Sequence, residues 1–428
     1  MQIGEGIPRH ALPSGFSSEP DASPWRLVPD PKNDFPWPRF ASFLVDEVTV
    51  PLRHIYLDFN TTTPLAPSVG EAMQPFWDEH FLLPTQQHPA GLALGELVDT
   101  AREQVANLLG CDPFEVVFTS GGTEANNLAI LGVCRAWQQA GKPPGRVIVS
   151  ASEHDSVIAA ANSLQFDGWH IEYLDVDPDG RVDPEQLDAM LQHDTALVCV
   201  QAACSISGVL QPVRQVADIC HARGVLLHCD AAQLAGKQPI DTGSLRADTI
   251  AISGHKMYGP KGIGALYVRR GLKLSPILYG EAQEMGLRPG SGNITGEIGL
   301  GAAAKMAARG AEDAADAMAA LRDRFEDRLQ QAISPTPRVL GNQVSRLPNT
   351  SLITLPIRVP LQFNKATSDL VISRPRCAQP QDWMTRCLVA IGLSEQQIAC
   401  TLRVSVGWTT SQESVDQAAD QIIRALEN

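Results

Sequence analysis

The sequence predicts an α/β protein: a mainly parallel central sheet in a large domain, followed by a smaller α+β domain. Three observations carry that reading. Short apolar runs rich in β-branched residues alternate with stretches of helical periodicity from about residue 54 onward. Those runs close on polar residues, as strands do where they open onto loops at one edge of a parallel sheet. The pattern then changes near residue 306 to a long Ala/Arg/Asp/Glu-rich stretch followed by isolated strand-like and helix-like segments. A chain of 428 residues suits such a two-domain arrangement.

Residues 1–53 come first and read as an extended N-terminal arm. Eight prolines, Trp25 and Trp37 fall within residues 1–50 without sustained periodicity. The arm is either a mobile tail or a segment that packs on the body or a partner through Asp34-Phe-Pro-Trp-Pro-Arg-Phe40. Residues 54–305 form the large domain. Its clearest strands are Glu115–Thr119, Arg146–Ser150, Ala196–Gln201, Val225–Asp230 and Thr249–Ser253. Between them lie helices Thr123–Ala136, opened by Thr123 at a cap position, and Val213–Ala222. Residues 306–428 form the small domain. Gly301–Ile333 is one long helix or two, Thr350–Leu355 a strand, and Ser411–Leu426 a final helix.

Composition narrows the function. With 34 basic against 48 acidic side chains the net charge is -14, which argues against a nucleic-acid partner. No apolar run approaches the ~20 residues needed to span a bilayer, which argues against a membrane role. Met1–Gly15 lacks the basic-then-apolar pattern of a signal peptide, so a cytoplasmic protein is expected. The nine cysteines are scattered, with no Cys-x-x-Cys pair and no Cys/His cluster of zinc-binding spacing, so no metal site is expected.

Chemistry concentrates at three strand ends. In Ser253-Gly-His-Lys-Met-Tyr-Gly-Pro-Lys-Gly-Ile-Gly-Ala-Leu-Tyr267, Lys256 follows a buried strand directly. It is either a solvated loop lysine or one desolvated enough to form a Schiff base with an aldehyde. In His228-Cys-Asp-Ala-Ala-Gln233, a strand-terminal carboxylate suits a protonated pyridine nitrogen. Thr119-Ser-Gly-Gly-Thr-Glu-Ala-Asn-Asn127 is a strand, a glycine turn and a helix start, whose free N–H groups suit a phosphate. Together they describe a pyridoxal 5'-phosphate (PLP) site.

These motifs resemble the class V aminotransferases among fold-type I PLP enzymes, and within them the cysteine desulfurases and selenocysteine lyases. The resemblance runs from about Tyr56 to the C-terminus. It also covers Tyr56-Leu-Asp-Phe-Asn-Thr-Thr-Thr-Pro64, Glu153-His154 and Arg288-Pro-Gly-Ser-Gly-Asn293. It implies that Lys256 bonds the cofactor, Asp230 pairs its ring nitrogen, Gln233 contacts its ring hydroxyl, and His154 stacks on the ring and assists proton transfer. Gly122, Thr123, Ser253 and His255 would hold the phosphate, joined by Ser291 from a second subunit of a homodimer.

In cysteine desulfurases a loop cysteine takes the substrate sulfur as a persulfide, ahead of an Arg-x-Ser-x-Gly motif. Arg403-Val-Ser-Val-Gly407 resembles that motif. The resemblance therefore implies Cys377 as nucleophile and Arg403 as the grip on the substrate carboxylate, with His88 and Asn60 at the substrate end. An L-cysteine substrate and a sulfur-acceptor protein follow.

Two segments depart from the family pattern. In Ile372-Ser-Arg-Pro-Arg-Cys377, Pro375 stiffens the loop, while Arg374 and Arg376 favour a thiolate. In Ala203-Cys-Ser-Ile-Ser-Gly208, Ser205 stands where the family has an Asn near the ring oxygen. These departures keep open a C–S lyase, selenocysteine lyase or aminotransferase in which Cys377 is idle. A non-catalytic scaffold acting through the arm is the remaining alternative.

Overall fold

The computed structural model describes residues 54–356, 367, 369–375 and 382–427. The expected arm (1–53) and Cys377 lie outside these described residues.

The first strand is β1 (Ile55–Tyr56). A seven-stranded sheet follows, built from β2 (Val116–Thr119), β3 (Arg146–Ser150), β4 (His170–Leu174), β5 (Thr195–Cys199), β6 (Leu226–Asp230), β7 (Thr249–Ser253) and β8 (Gly264–Val268). The spatial order is β2-β8-β7-β6-β5-β3-β4, and β8 alone runs antiparallel, between β2 and β7. Every residue of β2, β5 and β7 is buried, as expected for a sheet covered on both faces.

The five expected strands are present within two residues of their expected ends. Two others escaped the apolar pattern. β4 is an edge strand with only Leu174 buried, and β8 begins inside a glycine-rich run. Gly264 has a steric reason to be there. A Cβ on it would lie 2.6 Å from Ile252 O and 2.8 Å from Gly121 Cα, so glycine lets β8 pass beneath the turn after β2.

The helix after β2 runs Gly122–Gln139, with Gly121 rather than Thr123 as its N-cap. Gly121 adopts φ 150, ψ 179, which a side chain would oppose, and that sharp entry starts the helix earlier than the expected Thr123 cap. Helix Val213–Ala222 matches its expected bounds.

Ile294–Ala332 is a single 39-residue helix. Leu300, Ala303, Ala304 and Ala307 pack into the core of the large sheet. Met318, Phe325 and Leu329 pack into a second core. The expected boundary at 305/306 thus falls inside one continuous helix.

The second core covers a small sheet of β9 (Arg338–Val339), β10 (Thr350–Thr354) and β12 (Thr401–Ser405), with β10 in the middle; β11 (Leu370–Val371) pairs instead with β1. The closing helix Gln412–Glu427 buries Val415, Ala418, Ala419 and Ile422 on one face, at helical spacing. Ile55 and Leu57 also belong to this core, and Asp58 bridges to Ser405. The segment after β1 is thereby stretched from the small sheet to the carboxyl ends of the large one.

Candidate active site

The carboxyl ends of β2, β3, β5, β6 and β7 open onto a cavity of about 1030 Å³. Gly122, Thr123, His154, Ser205, Asp230, Gln233, Ser253, His255, Lys256 and Asn60 all line it. Ten sequence-predicted positions, spread over nearly 200 residues of chain, therefore meet in one place.

Lys256 sits in the 3₁₀ turn that follows β7. Its Nζ donates to the carbonyls of Asn60 (2.5 Å) and Thr61 (3.0 Å). Burial and the nearby Arg403 cation lower its pKa to about 8, against opposing pulls from Asp230 and Asp58. An amine so placed is a free nucleophile far more often than an exposed lysine.

Asp230 closes β6. Its Oδ2 accepts from Asn126 Nδ2 (2.8 Å) and its Oδ1 from the Ala232 N–H (2.9 Å), which fixes the carboxylate plane. His154 caps helix Asp155–Ser163, with Nδ1 accepting from the Ser156 N–H at 3.2 Å. Burial lowers its pKa, so the imidazole is neutral at pH 7. The Trp383 ring lies 5.6 Å from it, tilted by 60°.

Gln233 Nε2 donates to Asn60 O (3.0 Å), while its Oε1 accepts from buried Lys237 (2.8 Å). His255 Nδ1 lies 3.1 Å from Thr62 Oγ1, and burial together with Lys256 lowers its pKa to about 4. Asn60 Nδ2 donates to the backbone oxygen of Ser205 (3.2 Å) and to Thr350 Oγ1 (2.8 Å).

Three expected residues stand elsewhere. Arg403 is 1% exposed and lies under the cavity wall rather than on it. Its Nη2 donates to Asp58 Oδ1 (2.7 Å), Thr61 Oγ1 (2.6 Å) and Ser373 Oγ (2.7 Å), and its Nη1 to Ser205 O (3.0 Å). His88 is exposed and caps helix Pro89–Leu109, its Nδ1 accepting from the Gly91 N–H. Ser291 is exposed in the loop before the long helix, away from this cavity.

Comparison with known proteins decides the family. The profile of "Aminotransferase class-V" matches residues 55–418. The chain belongs to the class V aminotransferase family. Among class V relatives, it is 35% identical over 376 residues to "Cysteine desulfurase IscS" of Anaeromyxobacter sp. (strain Fw109-5), covering 87% of this chain and 92% of that protein. It is 36% identical over 381 residues to "Cysteine desulfurase, mitochondrial" of Drosophila melanogaster, covering 88% and 81%. A solved "NIFS-LIKE PROTEIN" superposes with a TM-score of 0.81 at 30% identity, over 87% of this chain and 99% of that one.

Class V enzymes use PLP, and the cavity fits that cofactor. The 18-residue helix Gly122–Gln139 points an N-terminus without a side-chain cap at the cavity, beside Ser253 and His255, which suits a phosphate. Asp230 and Lys256 would supply the carboxylate and the amine that a ring nitrogen and an aldehyde require.

Sequence reasoning missed several groups at or beside the cavity. Asn126 and Ser156 line the cavity and contact Asp230 and His154. Asn126 had a signal, since a polar side chain with low helix propensity near a helix start calls for a partner. Asp58, which pairs with Arg403, lay in a motif from which only Asn60 was given a role. Trp383 and Lys237 had no sequence signal that separates them from ordinary core residues.

Proposed function

We propose that this class V protein is a PLP-dependent cysteine desulfurase that converts L-cysteine to L-alanine and holds the sulfur as a persulfide on Cys377. One observation carries the reading. The chain on both sides of Cys377, Ile372–Pro375 before it and Asp382–Met384 after it, lines the same cavity as Lys256 and Asp230. Cys377 is two residues beyond Pro375 in the sequence.

PLP, when bound, supplies the electron sink that weakens bonds at the substrate Cα and Cβ. Asp230 holds the proton on the ring nitrogen, and its two fixed hydrogen bonds keep that carboxylate in register. Lys256, with its pKa near 8, both anchors the cofactor and moves the proton at the substrate Cα. His154 covers the ring and assists proton transfer.

Arg403 attracts the substrate carboxylate. Its Nε has no acceptor among the described residues. The Cys377 thiolate attacks the substrate sulfur, the C–S bond breaks, and the electron pair returns to the carbon that becomes the methyl group of alanine. Substrate sulfur and enzyme thiol become a persulfide, so no outside oxidant enters the balance. A sulfur-acceptor protein then takes the persulfide sulfur.

The same reading makes the protein a homodimer in which Ser291 reaches the partner's phosphate site. Its exposure supports this, as do the exposed Trp77 and Phe81 nearby. Thr295 Oγ1 donates to Phe76 O (3.2 Å), tying the residue before Trp77 to the first turn of the long helix that follows Ser291.

We place the enzyme in the cytoplasm. Cys111, Cys134, Cys199, Cys204, Cys220, Cys229 and Cys387 form no disulfide, which suits a reducing compartment. No helix among the described residues is long and apolar enough to cross a membrane.

The test is product analysis of the PLP-loaded protein with L-cysteine and a reductant. Alanine and sulfide in equal amounts support a desulfurase. Pyruvate and ammonia would replace it with a C–S lyase.

A further inference from the structure

From the cavity lining down into the core runs a chain of polar groups whose connection to one another none of the roles above requires. Its members are Thr249, His228, Asn126, Ser156 and His154; the first three are about 1% exposed and Ser156 is 8% exposed. Thr249 Oγ1 lies 2.9 Å from His228 Nδ1, and His228 Nε2 lies 3.0 Å from Asn126 Oδ1. Asn126 Nδ2 lies 2.8 Å from both Asp230 Oδ2 and Ser156 Oγ. Ser156 Oγ lies 2.8 Å from His154 Nδ1.

The direction of each bond can be assigned from one end. An ionised Asp230 only accepts, so the amide nitrogen of Asn126 must face it, and Asn126 Oδ1 must face His228. His228 therefore donates from Nε2, and its Nδ1 accepts from the Thr249 hydroxyl. Burial lowers its pKa to about 4, in keeping with a neutral ring. The other Asn126 N–H donates to Ser156 Oγ, which turns the Ser156 hydroxyl proton toward His154 Nδ1. The Ser156 backbone N–H points at the same nitrogen (3.2 Å). Two donors aimed at Nδ1 leave the His154 proton on Nε2.

We infer that Asn126 is a positioning residue that orients Asp230 and, through Ser156, holds His154 as the Nε2–H tautomer. The two groups assigned to opposite jobs, ring-nitrogen partner and stacking imidazole, are thus set by one amide. Other charged groups act on His154 as well. Asp230 and Asp155 favour its protonation, while Lys256 and Arg386 oppose it. Arg386 Nη1 and Asp155 Oδ1 are paired at 2.6 Å, so those two largely cancel. Protonating His154 at Nδ1 would set its N–H against the Ser156 N–H, a penalty the relay imposes whatever the reaction. The inference deepens the desulfurase reading and rests on it for the role of His154, but the proton position it assigns does not depend on turnover.

Histidine-selective ¹⁵N NMR of the full-length protein, before and after PLP is added, reads that position directly. The His154 signals are assigned by their loss in His154→Gln. Wild-type His154 is expected as neutral Nε2–H at pH 7. Asn126→Ala frees the Ser156 hydroxyl to accept, so the Nδ1–H form should gain by up to about tenfold, the ratio that one hydrogen bond of about 1.4 kcal/mol sets. Ser156→Ala, which leaves the Asn126–Asp230 bond intact, should shift the ratio in the same direction and keeps the question open to test if Asn126→Ala does not fold. A wild-type His154 carrying its proton on Nδ1, or a folded variant with an unchanged tautomer ratio, would overturn the inference. Either NMR result stands whether or not the protein turns over L-cysteine, so it is separable from failure of the desulfurase reading.

Discussion

Arg403 Nη2 lies 2.7 Å from Asp58 Oδ1, an ion pair between residues 345 positions apart, with side chains 1% and 11% exposed. The guanidinium we assign to the substrate carboxylate therefore already has an internal counter-charge. A buried cation stripped of its partner is costly. Asp58→Asn is expected to destabilise the protein by about 3 kcal/mol, read from urea unfolding. Added L-alanine, which carries a carboxylate, should stabilise this variant more than the wild type. Equal stabilisation of both would remove Arg403 as the carboxylate site.

The Arg403-Val-Ser-Val-Gly407 motif has a physical reading around that pair. Arg403 reaches Asp58, Ser405 Oγ accepts from the Asn60 N–H (2.9 Å), and Gly407 faces Phe59. A Cβ at Gly407 would drive into the Phe59 ring, with Tyr258 Oη 2.6 Å away. Gly407→Ala should cost about 2 kcal/mol of stability and displace the 58–60 segment. Its thermal midpoint should fall and its PLP affinity weaken with it. An unaltered midpoint would contradict this packing.

Lys256 should load cofactor at lower pH than an ordinary lysine. Its pKa is lowered from 10.5 to about 8, and only the neutral amine is nucleophilic. The rate of PLP incorporation into the ligand-free protein, followed by absorbance, should rise with pH and level off above about 8. A rate still climbing toward pH 10 would show that Lys256 keeps the pKa of an exposed amine.

Residues that act at strand ends were legible because short contiguous motifs carry them. Ser253 closes β7 with His255 and Lys256 just after it, and Asp230 closes β6 with Gln233 just beyond. Their placement needs only a parallel sheet whose strands point the same way. Groups that work through tertiary packing were not legible. The His228–Asn126 bond joins residues 102 positions apart, and Asp58 meets Arg403 only because β1 and the residues after it pack with the small sheet. β8 was hidden because the glycines that let it pass under Gly121 also imitate a loop. His88 shows the opposite case. Its place in a resembling segment suggested a substrate role, whereas its observed partner is the helix it caps.

Sulfur on Cys377 is the centre of the proposed chemistry, and mass spectrometry of the enzyme after a brief exposure to L-cysteine tests it most directly. The peptide containing Cys377 should gain the mass of one sulfur atom, lose it on reduction, and show no gain in Cys377→Ala, which should also form no alanine. Undiminished alanine formation by Cys377→Ala, or wild-type turnover with the added sulfur on another cysteine, would contradict the assignment of Cys377 as the sulfur carrier.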